Sequence, residues 1–587
     1  MRSEIGCASN AAEPATMRPV ITIERVCHMD PKPLGQQHNG ETGDVDAVVI
    51  GAGIGGLYAV RRLAADGLNV IGFDSATDVG GVWLHNGYPG ARVDIEAYYY
   101  CFFDPEIYGD WQWSQRFPPQ SELLAYLQHY AEHYGLRRYF QFSTRVEEMH
   151  WQPETKRWRV RTDTGATVYA RHVVLATGQL SKGRQLPFEG VEDFAGQWLE
   201  TSQWPAEPVD LAGKRVAVIG TGSSGAQVIS AIADQVDSLH VFQRTPNYVV
   251  PSQNAPMDQE RYRQYSQNLG ELWDQVMRTG VAYLAPTSDV PASAMDPEQQ
   301  LRRLEDQWNF GGLAMTFTFP DQRTDWKTAD LVSDFVRGKI RDVVQDPALV
   351  DALEPRDYPI GTRRLVVCNG YYEAFNRDNV NLVNLRKESI TRVTPQGIQT
   401  DEGFYEVDVI ISALGFDAFS GAMDAIDIRN ADGRRPTEDW ARGPQAHLGL
   451  MVHGFPNMYV LTGPGSPSVL VNFNVHNVFH VDYVADLIAY MSSHDYDAVQ
   501  PTAEAQRRWH IETQRAADGL LRKEVKNYMV HVNDDGSRVF IPYAGGWSTY
   551  VDIVNRVASE GYHGFAFSEV GTSTYRAVDH EDTVVPL

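Results

Sequence analysis

The chain has 587 residues with 43% hydrophobic content, enough for two or three domains with sizeable cores, and its formal charge of −25 argues against nucleic acid or an anionic membrane as partner. Its four cysteines (Cys7, Cys27, Cys101 and Cys368) are scattered without a Cys-x-x-Cys pair, which argues against a disulfide scaffold, a zinc site or a redox dithiol. No apolar run approaches the roughly 18 residues a membrane helix needs. The first 43 residues also lack the apolar stretch of a signal peptide, so a cytoplasmic enzyme is expected.

Residues 1–43, rich in Pro, Gly, Asn and Gln, read as an N-terminal extension. The apolar run Asp46 to Ile50 then leads into Gly51-Ala-Gly53-Ile-Gly-Gly56, the pattern of a strand, a tight turn and the start of a helix. Glycines there let the backbone approach a pyrophosphate, and the helix N-terminus aims free N–H groups and its positive dipole end at it. A second strand, Asn69 to Phe73, ends in Asp74, about 23 residues after Gly51. A carboxylate in that place hydrogen-bonds ribose hydroxyls and repels a 2′-phosphate. A helix over Ser121 to Tyr134 and a β-rich stretch over Arg145 to Val174 follow, and the buried strand Val173 to Leu175 ends in the crossing Ala176-Thr177-Gly178.

The same pattern recurs roughly 170 residues on, where Arg215 to Ile219 runs into Gly220-Thr221-Gly222-Ser223-Ser224-Gly225. Here the second strand, Leu239 to Phe242, leads to Gln243-Arg244-Thr245-Pro246, so a guanidinium replaces the acid and suits a 2′-phosphate. One such turn is a weak signal. Two, with contrasting strand ends, imply FAD at the first and NADPH at the second. The pattern then becomes helical (Met257 to Met277, Asp296 to Trp308, Leu331 to Val344) before the strand Val407 to Ser412. Gly463-Pro464-Gly465-Ser466-Pro467, ahead of a helix over Asn474 to Met491, reads as the turn over the flavin ring. The expected fold is α/β, with two Rossmann-like dinucleotide-binding domains. FAD takes 44–182 and 414–570, NADP takes 183–252 and 353–413, a helical insertion spans 253–352, and 571–587 is a C-terminal tail.

Several segments resemble type I Baeyer–Villiger monooxygenases. They are Gly80-Gly81-Val-Trp83 through Tyr88-Pro89-Gly90-Ala-Arg-Val-Asp94, Trp111-Gln-Trp113-Ser114, Gly361-Thr362-Arg363-Arg364, Tyr371-Tyr372-Glu373-Ala-Phe375-Asn376-Arg377 and Gly463-Pro-Gly-Ser-Pro-Ser468. The resemblance runs in family order from about residue 45 to 566. It implies FAD, NADPH and dioxygen as partners in converting a ketone to an ester or lactone. It also implies Arg364 as the fixed cation beside the reacting oxygen, with Asp94 orienting it. Gly81, Trp83, Tyr100, Val146 and Ser468 are implied on the flavin side. On the NADP side it implies Thr221, Ser223, Ser224 and Gln227, with Arg244, Thr245 and Arg363 gripping the 2′-phosphate.

This chain departs from the family pattern in several places, among them Arg363 in the usual Lys-Arg pair and Cys368 for a common aspartate. Glu200 stands where the linker fingerprint has histidine, Asn527-Tyr528 replaces the usual Trp-Tyr of the C-terminal control loop, and Val530-His531-Val532 follows. Interdomain coupling and closure over NADP are therefore expected to differ. These departures and the long N-terminal arm resemble the subgroup acting on bulky cyclic ketones, macrocyclic or terpenoid, in antibiotic pathways. Two alternatives share the nucleotide sites: a flavin monooxygenase oxidising nitrogen or sulfur, and a flavin-dependent reductase that inserts no oxygen. No motif specifies the ketone, the regiochemistry or the oligomeric state.

Overall fold

The computed structural model describes residues 43–184 and 188–578, so all of the N-terminal extension except Gly43 lies outside the described residues. β1 (Asp44–Ile50) leads into α1 (Ile54–Ala65) and β2 (Val70–Phe73). After α2 (Gln120–His133) come β3 (Phe140–Gln141), β4 (Val146–Gln152), β5 (Arg157–Thr162) and β6 (Thr167–Leu175). The second unit opens with β7 (Gln197–Glu200), β8 (Arg215–Ile219), α3 (Ser223–Ile232) and β9 (Ser238–Gln243). A helical block, α4 (Gln259–Gln267), α5 (Leu269–Met277), α6 (Pro297–Phe310) and α7 (Trp326–Val343), precedes β10 (Val380–Asn384) and β11 (Val409–Ser412). The chain then supplies β12 (Asp427–Arg429), β13 (Met458–Val460) and α8 (Phe473–Ser493).

Two sheets result. The first has the order β12-β4-β5-β6-β1-β2-β3, with β13 also pairing to β6, and the second has the order β10-β9-β8-β11-β7. Parallel central strands covered on both faces need continuous apolar runs. Accordingly Ala47, Val48 and Val49 of β1, and Val216, Ala217 and Val218 of β8, are all fully buried.

The two turns are near-copies. Gly51 and Gly220 both adopt φ +107, and a side chain would drive into the carbonyl of Ala176 or Ala413, 2.5 Å away in each case. Gly51 N–H donates to Phe73 O at 2.8 Å, and Gly220 N–H to Phe242 O at 3.0 Å. Gly53 and Gly222 cap α1 and α3 with extended backbone (ψ −168 and −166) and no side-chain cap, which leaves the first-turn amides open to a ligand.

Several elements differ from the sequence reading. Met257 to Met277 is two helices, because Asn268 (φ −123, ψ 41) breaks the run. A three-stranded meander over Ile390–Thr394, Gly397–Thr400 and Phe404–Glu406 escapes sequence patterning, since its strands are short and half exposed. Regular structure also runs past 570: in a separate three-stranded sheet, Tyr575–Ala577 pairs antiparallel with Phe565–Glu569. Among the described residues no helix is long and apolar enough to cross a membrane.

Candidate active site

A cleft of about 1890 Å³ runs between the two glycine turns. It is lined from the first unit by Gly51, Gly53, Asp74, Gly81, Trp83, Asp94, Tyr100 and Val146. From the second it is lined by Gly220, Thr221, Gly222, Ser223, Ser224, Gln227, Arg244, Thr245, Arg363 and Arg364. Of the residues singled out from sequence, Gly56 and Ser468 do not line it. Gly56 lets α1 close onto its turn, since a Cβ there would lie 1.8 Å from Gly51 O. Ser468 is fully buried with φ +52, and its hydroxyl donates to Gln179 Oε1 at 2.7 Å. Its effect on the cleft therefore runs through Gln179, a lining residue that the sequence reading did not single out.

At the junction of the two units, Arg364 and Asp94 meet across 270 positions. Arg364 Nε donates to Asp94 Oδ2 at 3.1 Å, and Nη2 donates to Oδ1 and Oδ2 at 2.9 and 2.8 Å. Nη1 donates to the Val469 carbonyl at 3.0 Å. This fork arrangement leaves at least one of the five N–H donors unused. Burial alone would weaken the guanidinium as a base. Asp94, with Tyr528 and Tyr283, outweighs that and holds its pKa above the ordinary value, so it stays charged.

The neighbouring side chains are fixed by packing. Trp83 Nε1 donates to Tyr100 OH at 3.2 Å with the rings edge-on, and burial raises the Tyr100 pKa. Asp74 accepts from the amides of Ala52 (2.5 Å) and Ala76 (2.8 Å), which sets its carboxylate at the end of β2 beside the first turn. Thr221 Oγ1 donates to Thr245 O at 3.4 Å, Arg244 is exposed at the cleft, and the Arg363 guanidinium lies 4.3 Å from the centre of the Tyr358 ring. Arg386, which the sequence reading did not single out, donates to the Arg244 carbonyl at 2.8 Å and supports that corner.

Gln227 lines the cleft and also joins the two units. Its Oε1 accepts from Tyr88 OH at 2.9 Å, and its Nε2 donates to the Arg92 carbonyl at 3.2 Å. Gly90 (φ +81) permits this approach, since a Cβ there would sit 2.5 Å from Gln227 O. Glu200 also faces the cleft. Trp198 Nε1 donates to it at 3.4 Å and Ser202 Oγ at 3.5 Å, while Trp204 N–H holds the linker to His85 O at 2.8 Å.

Two glycine cradles with open helix-start amides, one beside a carboxylate and one beside an exposed guanidinium, fit two dinucleotides of different phosphorylation. The comparisons agree. Residues 45–259 match the flavin-binding monooxygenase-like family. A Baeyer–Villiger monooxygenase of Pseudooceanicola batsensis is 39% identical over 88% of this chain and 95% of its own length. Acetone monooxygenase (methyl acetate-forming) of a Gordonia species is 39% identical over 90% of this chain and all of its own. Among solved structures, an oxidised steroid monooxygenase bound to NADP is 42% identical with a TM-score of 0.86, covering 90% of this chain and all of its own. An OTEMO complex with FAD and NADP has a TM-score of 0.87 at 34% identity, with the same coverage. The chain belongs to the Baeyer–Villiger monooxygenase family and is an FAD- and NADP-dependent enzyme acting on ketones.

Proposed function

We propose that this enzyme inserts one oxygen atom beside the carbonyl of a bulky cyclic ketone, macrocyclic or terpenoid, to give a lactone in secondary metabolism. The observation that carries the reaction geometry is the Arg364 guanidinium, held by three contacts to Asp94 and one to Val469 O, with a donor left free. Reduced flavin supplies the electrons that activate dioxygen, and the nicotinamide supplies the hydride. Arg364 stabilises the negative charge that develops on the ketone oxygen as oxygen adds to the carbonyl carbon. Its charge is permanent at working pH, so the stabilisation needs no proton transfer. Asp94 fixes the plane of the guanidinium, so that little reorganisation accompanies the reaction.

Asp74 takes the ribose of the flavin nucleotide, while Arg244, Thr245 and Arg363 take the 2′-phosphate of NADPH. Support for a bulky ketone comes from the steroid monooxygenase among the structural neighbours and from Asn527, a side chain smaller than the family's usual tryptophan, in the wall of the cleft. The test is turnover with NADPH, dioxygen and a panel running from acetone through cyclohexanone to macrocyclic and tricyclic terpenoid ketones, with products identified by mass spectrometry. Lactone formation with kcat/KM rising with ketone size is expected. Preference for acetone-sized ketones would overturn the substrate class. Oxidation of amines or sulfides alone would overturn the ketone reading.

A further inference from the structure

Residues 521–541, which include the departures Asn527 and Val530-His531-Val532, are tied to both nucleotide-binding units at once. On one side Arg522 Nε and Nη2 both donate to the Gly361 carbonyl, at 3.1 and 2.7 Å. Asn527 Nδ2 donates to the Arg522 and Val525 carbonyls at 2.9 and 2.8 Å and reaches Thr362 O at 3.4 Å, while its Oδ1 accepts from Met529 N–H at 2.8 Å. Gly361 and Thr362 immediately precede Arg363 and Arg364, and Thr362 is itself pinned by its hydroxyl to Pro359 O at 2.7 Å. On the other side Gly465 N–H donates to Ile541 O at 3.0 Å, and Tyr543 N–H to Ser466 O at 2.9 Å. Between these anchors a hairpin, Val530–Val532 paired with Arg538–Phe540, closes over the cleft, with Tyr528, Val530, His531 and Val532 lining it.

We infer that Arg522 and Asn527 form a latch that holds this segment over the cleft through protein–protein bonds alone, and that they are positioning residues for Arg364 and for the ketone. The inference rests on the reading of Arg364 as the catalytic cation. Three features support it. The carboxamide of Asn527 is consumed inside the segment and at Thr362, so the residue serves the closed turn. The apolar face of the hairpin is buried with it: Met529, Val530, Phe540 and Ile541 pack against Phe419 and Ala517. Arg522 forms no ion pair with a carboxylate among the described residues; burial, with Arg364 and Arg323 nearby, brings its pKa down to about 10. A cation kept there at that disadvantage, with two donors on one carbonyl, is placed for its bonds and its shape. Arg522 thereby fixes the turn from which Arg364 projects, and the hairpin fixes the wall that the ketone meets.

The experiment is amide hydrogen exchange on the FAD-loaded enzyme without NADP, comparing wild type with Arg522→Met, Arg522→Lys and Asn527→Ala. Losing a hydrogen bond from a charged group opens such a contact roughly ten- to hundredfold more often. Wild type should protect the amides of Met529, Val530 and Ile541 before any coenzyme is added. Arg522→Met and Asn527→Ala should exchange there at least about tenfold faster, Arg522→Lys in between, and strand Arg215–Ile219 unchanged. In turnover, both disruptive variants should raise KM for the ketone and divert NADPH to peroxide, with the rate of flavin reduction unchanged and Arg522→Lys partly restoring coupling. Equal exchange in all four proteins, or protection in wild type appearing only with NADP, would overturn the latch. If Arg522→Met fails to retain FAD, Asn527→Ala decides. If exchange responds as expected but no ketone is oxidised by wild type, the latch stands and the functional reading falls.

Discussion

Replacing Asp94 by Asn tests whether orientation of Arg364, and not its charge alone, drives oxygen insertion. Asparagine keeps the shape but removes the negative charge and turns an NH₂ group toward the guanidinium. Of the three contacts now made from Nε and Nη2, at 2.8 to 3.1 Å, at most the two to Oδ2 are retained, and both lose a charged acceptor. Hydrogen bonds to charged partners contribute about 1.5–3 kcal/mol. Both side chains are about a third exposed (31% and 28%), so the lower half of that range applies. A loss of about 2 kcal/mol in the transition state corresponds to roughly thirtyfold in rate. The expected result is a kcat for ester or lactone reduced roughly thirtyfold, with flavin reduction by NADPH unchanged under anaerobic stopped flow and NADPH consumption diverted to peroxide. A variant that forms product within about threefold of wild type, or one that loses flavin reduction in parallel, would refute the reasoning. Arg364→Lys gives an independent check. Wild type carries a cation whose pKa is raised, so the group itself contributes no alkaline limb. A lysine keeps Asp94 as its counter-charge but loses the planar fork, so kcat should fall with flavin reduction unchanged.

Three further outcomes are expected. Arg244→Ala should raise KM for NADPH much more than for NADH, because the lost contact is to the 2′-phosphate; equal losses in steady-state kinetics would show that the corner has been misread. Gly90→Ala should lower the melting temperature and weaken NADPH binding together, since φ is +81 and the new methyl meets Gln227 O at 2.5 Å. Buried His172, His447 and His476 have pKa values brought down to about 3 by burial, and His480 is lowered further. His480 is also held neutral by geometry, because its Nδ1 accepts from Thr462 N–H at 3.0 Å. The unfolded chain therefore binds more protons below pH 6.5, and each histidine should remove about 1.4 kcal/mol of stability per pH unit between 6.5 and its folded value. Melting curves from pH 8 to 4.5 should be flat above about 7 and fall steeply below it, and His476→Gln should make that fall shallower.

What the sequence made legible was local. Gly51 and Gly220 each have to adopt φ +107 against a carbonyl 2.5 Å away, which only glycine tolerates, so the composition of the turn reports its geometry directly. Asp74 and Arg244 were equally readable, because each sits at a fixed offset from its turn. The long helices over Gln120–His133 and Phe473–Ser493 lie within two residues of expectation at either end. Gln227 shows where this local reading stops. Its place one turn into α3 points to the coenzyme, yet both its hydrogen bonds go to Tyr88 and Arg92, residues 139 and 135 positions away. Ser468 follows the same rule, its hydroxyl being engaged with Gln179 at a separation of 289.

The departures from the family pattern acquire meaning only at that long range. In sequence, Asn527 is a polar residue where an indole is usual, and a weakened closure over NADP is the natural expectation. In the fold its amide group caps the turn it sits in and reaches Thr362, while Arg522 donates twice to Gly361 at a separation of 161 positions. On the proposed latch, the segment that lines the cleft stays attached to the turn that carries Arg364. Asn527 both lines the cleft and reaches Thr362, so the exchange and ketone-size experiments bear on the same side chain.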